Sequence, residues 1–369
     1  MSVAHAQNLN SQDCNNPHMT LEDHSARNTK GVECKTAICL CAAFLAALIL
    51  GVIPSDAQSP PKPRGKLVDL QGHKLHINCS GKGSPTVVVE NGLGDFSFDW
   101  VLVQTRVSRI TRICTYDRAG YAWSDPGPKP RTFGQLNLEL RDALSKLGER
   151  GPFVLVGHSY GGPVVRNFGL AYPSQTAGIV FVDAAHEGLR VGIGGKRTLR
   201  LGDDAKGLAI PAAHEGMNAS DKPSIRAEDL PPELKNLDSM FKVLPSEEQQ
   251  MQLWAQQLPA VYDAQSSETQ WSGEYFAKWL SVSQAGTLGK IPVVVLSRAD
   301  GGYNDNDSDI SAAQLEEERK QGQAKLATLS TNSKQITIHS GHNMNLEAPD
   351  EVAAAIRRVV EAIRKDQKL

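Results

Sequence analysis

The stretch FVLVGHSYGGPVVRNF, residues 153–168, constrains the fold of this chain more than any other. Its apolar run Phe153-Val154-Leu155-Val156 reads as a strand covered on both faces, the kind found in parallel sheets. Gly162 to Phe168 reads as a helix. Between them the backbone must turn sharply, and a Cβ two residues to either side of the turn would collide with it. Gly157 and Gly161 meet that requirement. A G-x-S-x-G in this strand-turn-helix context makes Ser159 a candidate nucleophile with its hydroxyl presented on a strained elbow.

The rest of the chain alternates strand and helix around this point. Two β-patterned runs, Lys66 to Leu70 and Lys74 to Cys79, meet at Gln71-Gly72 and read as a hairpin. Thr86 to Glu90 is an apolar strand running into the loop Asn91-Gly92-Leu93-Gly94-Asp95. Asp99 to Ile110 is patterned as a helix, Arg112 to Tyr116 as a strand, and Thr132 to Leu147 as a helix with Leu136, Leu140, Leu144 and Leu147 on one face. After the elbow, Gly178 to Val182 is a strand that ends in Asp183-Ala184-Ala185-His186.

Alternation then stops for roughly a hundred residues, 187–290, far more than an ordinary connection, so this insertion needs structure of its own. Its first third is rich in Gly and Lys and reads as a mobile loop. Ser246-Glu247-Glu248-Gln249 reads as a capping box opening a helix with Met251, Trp254 and Leu258 on one face. Tyr275, Phe276, Trp279 and Leu280 form a second apolar face. These aromatics predict a helical cap packed on the main domain, or in part the lining of a hydrophobic substrate pocket. Beyond it come a strand at Ile291 to Leu296, a polar loop from Ser297 to Asp309, and a charged helix from Ser311 whose Glu316 to Lys320 run reads as a solvated face. Gln335 to His339 is the last strand. A helix carrying Val352, Ile356, Val359 and Ile363 closes the chain. Asp305 to Asp309 with Glu316 imitates a calcium loop, but Ile310 stands where glycine is required, so it reads as a surface loop.

Composition narrows the function. The 369 residues are 40% hydrophobic, and 39 basic against 41 acidic residues leave a net charge of -2. No basic stripe points to nucleic acid, so a small molecule is the expected partner. Residues 1–35 are polar. Ala37 to Ile53 is an uncharged apolar run after Lys30 and Lys35 and before Pro54-Ser55-Asp56-Ala57, the pattern of a secretory signal cleaved after Ala57. The alternative is an uncleaved membrane anchor. Export, periplasmic or secreted, is therefore expected, with membrane contact only through residues 37–53 if they are retained. Residues 58–65 form a proline-rich linker, and residues 66–369 the main domain. Cys14, Cys34, Cys39 and Cys41 lie in or before the apolar run. Cys79 and Cys114 lie beyond it, and such a pair in an exported protein permits one disulfide. No Cys or His spacing suggests a metal, and no cofactor is expected.

With two leading strands, alternating β/α units, Glu90-Asn91-Gly92-Leu93-Gly94, Tyr116-Asp117-Arg118-Ala119-Gly120-Tyr121 and the elbow Gly157 to Gly162, the chain resembles the α/β-hydrolase superfamily. The resemblance implies a mostly parallel eight-stranded sheet with helices on both faces and a helical cap inserted after strand six. It implies Ser159 as nucleophile and His342, after the eighth strand, as its base, since the family's triad order is Ser, acid, His. The acid is either Asp183, ending the sixth strand, or Asp300, after the seventh. Backbone N–H groups of Leu93 and Tyr160 would form the oxyanion hole. Asn91 stands where many members have histidine. The family's strand order also sets the second strand beside the fourth, so that Cys79 and Cys114 could meet. Of the other histidines, His158 is expected to pack within the elbow, His339 to belong to a strand and His186 to line the pocket.

These features predict a serine hydrolase of apolar carboxylic esters that works through an acyl-enzyme on Ser159. Acyl transfer and C–C bond hydrolysis with the same residues are alternatives, as is a non-catalytic ligand-binding member of the fold.

Overall fold

A computed structural model describes residues 60–192, 198–203, 226–299, 301–305 and 309–369. The apolar run 37–53, its cleavage site, the four cysteines before residue 42, Asp300 and most of the calcium-like loop lie outside the described residues. The leading hairpin pairs β1 (Lys66–Asp69) with β2 (Lys74–Ser80), and Gln71 takes the positive φ of 64° that its turn demands. Then come β3 (Val87–Glu90), α1 (Val101–Val107), β4 (Ile113–Tyr116), α2 (Phe133–Lys146), β5 (Phe153–His158), α3 (Gly161–Ala171) and β6 (Thr176–Val182). Thr132 caps α2, its hydroxyl accepting the Gln135 N–H at 3.1 Å.

Among the described residues between β6 and the next strand of the main sheet lie an antiparallel strand pair, β7 (Arg190–Gly192) and β8 (Thr198–Arg200), short 3-10 turns, and two helices, α4 (Ser246–Ala255) and α5 (Pro259–Ser281). The chain finishes with β9 (Val293–Arg298), α6 (Ala312–Ala327), β10 (Ser333–Ile338), the single turn α7 (Met344–Glu347) and α8 (Pro349–Lys365). Eight strands form one sheet in the order β1-β2-β4-β3-β5-β6-β9-β10. All pairs from β4 to β10 are parallel, and the two at the β1 edge are antiparallel.

Strand side chains alternate between faces. Val87, Val89, Val154, Val156, Val180 and Val182 meet α1 and α8 on one face. Val88, Leu155, Ile179 and Phe181 meet α2, α3 and α6 on the other. The continuous apolar runs follow from this two-sided burial, each large side chain contributing about 1.5–3 kcal/mol. Cys79 lies opposite Cys114 across β2 and β4, and the two form a disulfide.

Helices α4 and α5 attach through two aromatic clusters. Met251, Ala255, Val261 and Ala264 pack on Phe96, Phe98 and Tyr121, while Tyr275, Phe276 and Trp279 pack on Phe133, Tyr160 and Val164. Leu280, expected on this face, is instead exposed in the last turn of α5. The capping box at Ser246 does not form either. Pro245 occupies the cap position, which puts Ser246 inside the helix, and the Gln249 amide turns back to the Leu244 carbonyl at 2.7 Å. Ser311 does cap its helix, accepting the Gln314 N–H at 3.2 Å. Among the described residues no helix is long and apolar enough to cross a membrane.

Candidate active site

Ser159 sits between the end of β5 and the start of α3 with φ of +49°, a left-handed conformation that costs a non-glycine residue about 1–3 kcal/mol. Its own main chain secures it. The Ser159 N–H donates to the Val182 carbonyl at 3.1 Å, and its carbonyl accepts from Gly162 and Ala185 at 3.0 and 2.8 Å. A Cβ on Gly157 would lie 2.5 Å from the Gly161 carbonyl oxygen, and one on Gly161 would lie 2.3 Å from that of Glu90. The glycines thus let the elbow close against β3.

His342 follows β10 on a loop held by the Gly341 N–H, which donates to Glu347 Oε2 at 2.5 Å. Its Nδ1 lies 2.7 Å from Asp183 Oδ2. Asp183, at the end of β6 with φ of +37°, is 4% exposed. Burial alone would raise its carboxyl pKa, but the His342 hydrogen bond and the charges of His342, Arg298 and Arg319 outweigh it and bring the value to about 2. Arg298 Nη1 donates to Asp183 Oδ2 at 2.7 Å, and Arg319 Nη1 stands 3.7 Å from Oδ1. Burial also holds the His342 imidazole below its ordinary value despite Asp183, with the neighbouring His158 and Arg298 adding to the effect. Of the two acid candidates, Asp183 contacts His342, and Asp300 lies outside the described residues.

The expected solvated face of α6 is only partly solvated. Arg319 is 4% exposed on the inward stripe Leu315, Arg319, Gln323 and Leu326, and it also pairs with Glu316. Glu318 bonds Arg190 at 2.8 Å. An arginine at core spacing is tolerated because Glu316 and the Arg298 carbonyl, the latter at 3.1 Å, accept its N–H groups, and because the Asp183 carboxylate stands nearby, a charge that helical periodicity cannot reveal.

The loop after β3 is anchored from beneath. Asn91 Nδ2 donates to the Tyr116 carbonyl at 2.6 Å, so the residue that replaces the frequent histidine ties this loop to the end of β4. Arg118, 2% exposed, donates to the carbonyls of Asn91 and Gly92 at 2.7 and 2.8 Å and to Glu90 and Glu268, both at 2.9 Å. Glu268 belongs to α5 and also accepts from Tyr121 at 2.7 Å, so a buried ionic cluster joins the loop to the insertion. The N–H groups of Leu93 and Tyr160 are not used by the hydrogen bonds that fix the two loops. Arg118→Met is expected to cost about 3–5 kcal/mol of stability, because Glu90 then stays buried without its cation. Urea unfolding measures this, and an unchanged midpoint would show that the cluster contributes nothing.

Arg118, Arg298, Arg319 and Glu268 were not identified as site residues from the sequence. Arg118 alone carried a signal, its place in the Tyr116 to Tyr121 motif. His158 does more than pack, since both of its ring nitrogens are within hydrogen-bond distance of oxygens. His186 is buried against Gly322 and accepts the Gly188 N–H at 3.2 Å, and burial lowers its pKa to about 4. His339 is exposed just past β10. One group of potential metal ligands occurs among the described residues, Cys79, Cys114 and Glu149. Its sulfurs are bonded to each other and its carboxylate to Arg112.

An eight-stranded, largely parallel sheet with a serine elbow after its fifth strand defines an α/β-hydrolase. A family model described as "Alpha/beta hydrolase family" matches residues 87–355, and the chain belongs to that family. An AB hydrolase superfamily protein of Gibberella zeae is 30% identical over an alignment of 189 residues that covers 45% of this chain and 58% of that protein. An uncharacterized vacuolar membrane protein of Saccharomyces cerevisiae is 31% identical over an alignment of 156 residues that covers 37% of this chain and 24% of that protein. The chain thus spans less than two thirds of the length of these relatives. Among solved structures, a thermophilic esterase from Thermogutta terrifontis aligns with a TM-score of 0.53 at 21% identity, covering 81% of this chain and 99% of that one. The family match and the sheet together fix the fold family of this chain.

Proposed function

We propose that this hydrolase cleaves carboxylic esters of small or medium apolar acids through an acyl-enzyme on Ser159. The observation that carries the reading is the 2.7 Å contact between His342 Nδ1 and a buried, ionised Asp183. With Nδ1–H donated to the carboxylate, Nε2 is left as the basic nitrogen. The Ser159 hydroxyl attacks the ester carbonyl while His342 Nε2 takes its proton. The carbonyl oxygen becomes an oxyanion held by the N–H groups of Leu93 and Tyr160, each such donor being worth about 3–4 kcal/mol of the barrier. His342 then protonates the departing alkoxide, and water reverses the sequence to free the acid. Asp183 orients the ring and stabilises the imidazolium without taking its proton.

The inserted residues 187–290 act in this reading as a cap whose helices bound an apolar pocket over Ser159. The substrate is a small apolar ester, and no macromolecular partner is invoked. Residues 37–53 serve as an export signal, or as an anchor if retained. The Cys79–Cys114 bridge supports an oxidising compartment.

A fluorescent fluorophosphonate is expected to label the full chain, Ser159→Ala is expected to abolish labelling, and a panel of p-nitrophenyl esters of increasing acyl length should show turnover. Absence of serine-dependent labelling would favour a non-catalytic binder.

A further inference from the structure

His158, 1% exposed, is hydrogen-bonded in a way that fixes its charge. Its Nδ1 lies 2.9 Å from Asp95 Oδ2, and its Nε2 lies 3.0 Å from the main-chain oxygen of His342. Both partners are acceptors. A carbonyl has no proton to give, and Asp95 Oδ2 already receives the Gly92 N–H at 3.1 Å, as an ionised carboxylate would. Two acceptors need two N–H donors, and imidazole has two only when protonated. Either neutral tautomer would point a lone pair at an oxygen in a site where burial makes the mismatch costly.

We propose that His158 is held as an imidazolium between Asp95 and the His342 carbonyl, and that it is a positioning residue tying the oxyanion loop to the loop that carries the base. The positioning role rests on the acyl-transfer reading above. The surroundings fit such a strap. A Cβ on Gly92 would stand 2.3 Å from Asp95 Oδ2 and 3.0 Å from His158 Nδ1, so only glycine lets the loop close on the pair. Trp100 meets the ring edge-on, with centroids 6.3 Å apart. Asp95, Asp183 and His342 are the titratable groups around the ring, with Asp99 behind Asp95. Burial works against the cation, but the hydrogen bond and charge of Asp95 raise its pKa above the ordinary histidine value. The strap is therefore complete below that raised pKa and is lost as pH rises through it.

A second effect follows from position. The rings of His158 and His342 have centroids 4.8 Å apart. A fixed cation there opposes a second one, which favours the neutral form of His342 that accepts a proton.

The charge is read directly from long-range proton-nitrogen NMR spectra of the full chain labelled with 15N-histidine. At about pH 7.5 an ordinary histidine, with pKa about 6.5, is mostly neutral. The His158 ring, identified by its loss in His158→Gln, is expected to show two protonated nitrogens, and the spectrum of a neutral ring would overturn the proposal. For the positioning role, His158→Gln and Asp95→Asn are expected to lower kcat on the order of a hundredfold, the scale of a small misplacement near the chemistry. KM should change far less, and the acid limb of kcat/KM should move to higher pH as His342 loses its cationic neighbour. Unchanged kcat and an unmoved acid limb in a folded variant would refute that role. If His158→Gln does not fold, Asp95→Asn keeps the ring and decides. If fluorophosphonate fails to label Ser159 in the unaltered chain, the acyl-transfer reading falls, while the NMR spectrum still decides the charge of His158.

Discussion

Ser159→Ala is expected to lower kcat for ester hydrolysis by about a millionfold, the loss found when the nucleophile of a serine triad is removed. The thermal midpoint should hardly move. Alanine occupies the same +49° backbone position and keeps every main-chain hydrogen bond of the elbow, so that only the hydroxyl is lost. Initial-rate kinetics beside a melting curve separates the two effects. Retention of more than a thousandth of the activity would place the nucleophile elsewhere, because the remaining oxyanion donors and substrate binding account for about 10³–10⁴-fold over water at most.

Asp183→Asn should cost about 10⁴-fold in kcat, while Asp300→Asn stays within a few-fold of the unaltered enzyme. In the native site one oxygen, Oδ2, takes both the His342 Nδ1–H and the Arg298 N–H, and the other oxygen faces Arg319. An amide cannot satisfy that set. With its oxygen toward His342 it aims an N–H at the Arg319 cation, and flipped it forces His342 into the wrong tautomer. The variant should also lose stability, on the order of 3 kcal/mol, since the buried Arg319 and the half-buried Arg298 guanidinium groups are left with less neutralising charge. In the unaltered protein the carboxyl pKa of about 2 lies below its unfolded value. Its contribution is therefore fully present above about pH 4 and is lost as pH falls toward 2. Steady-state kinetics and urea unfolding of both variants test this, and full activity of Asp183→Asn with a collapse in Asp300→Asn would move the acid to Asp300.

Much of the architecture was legible because it rests on local rules. Val87 to Val89, Phe153 to Val156 and Val293 to Leu296 are apolar at successive positions because both faces of the sheet are covered, and that pattern needs no knowledge of the rest of the chain. The elbow was legible for a similar reason, since a serine at positive φ between strand and helix requires Gly157 and Gly161 close by in sequence. Local reading failed where two local solutions compete. Ser246 has the spacing of a capping box, but Pro245 takes the cap and Gln249 bonds Leu244 instead.

By itself, then, the sequence determined the β/α order, the serine at its turn and the histidine after the last strand, all expressed through periodicity and short-range sterics. Only the tertiary structure decided which charges meet. Asp183 finds His342 across 159 residues and Arg298 across 115, Arg118 reaches Glu268 across 150, and His158 joins Asp95 to the His342 loop. A buried charge is tolerated wherever a partner lies within a few ångströms, whatever their separation along the chain, so the same arginine that reads as solvated within a charged run can complete a site once the sheet has brought its strand ends together.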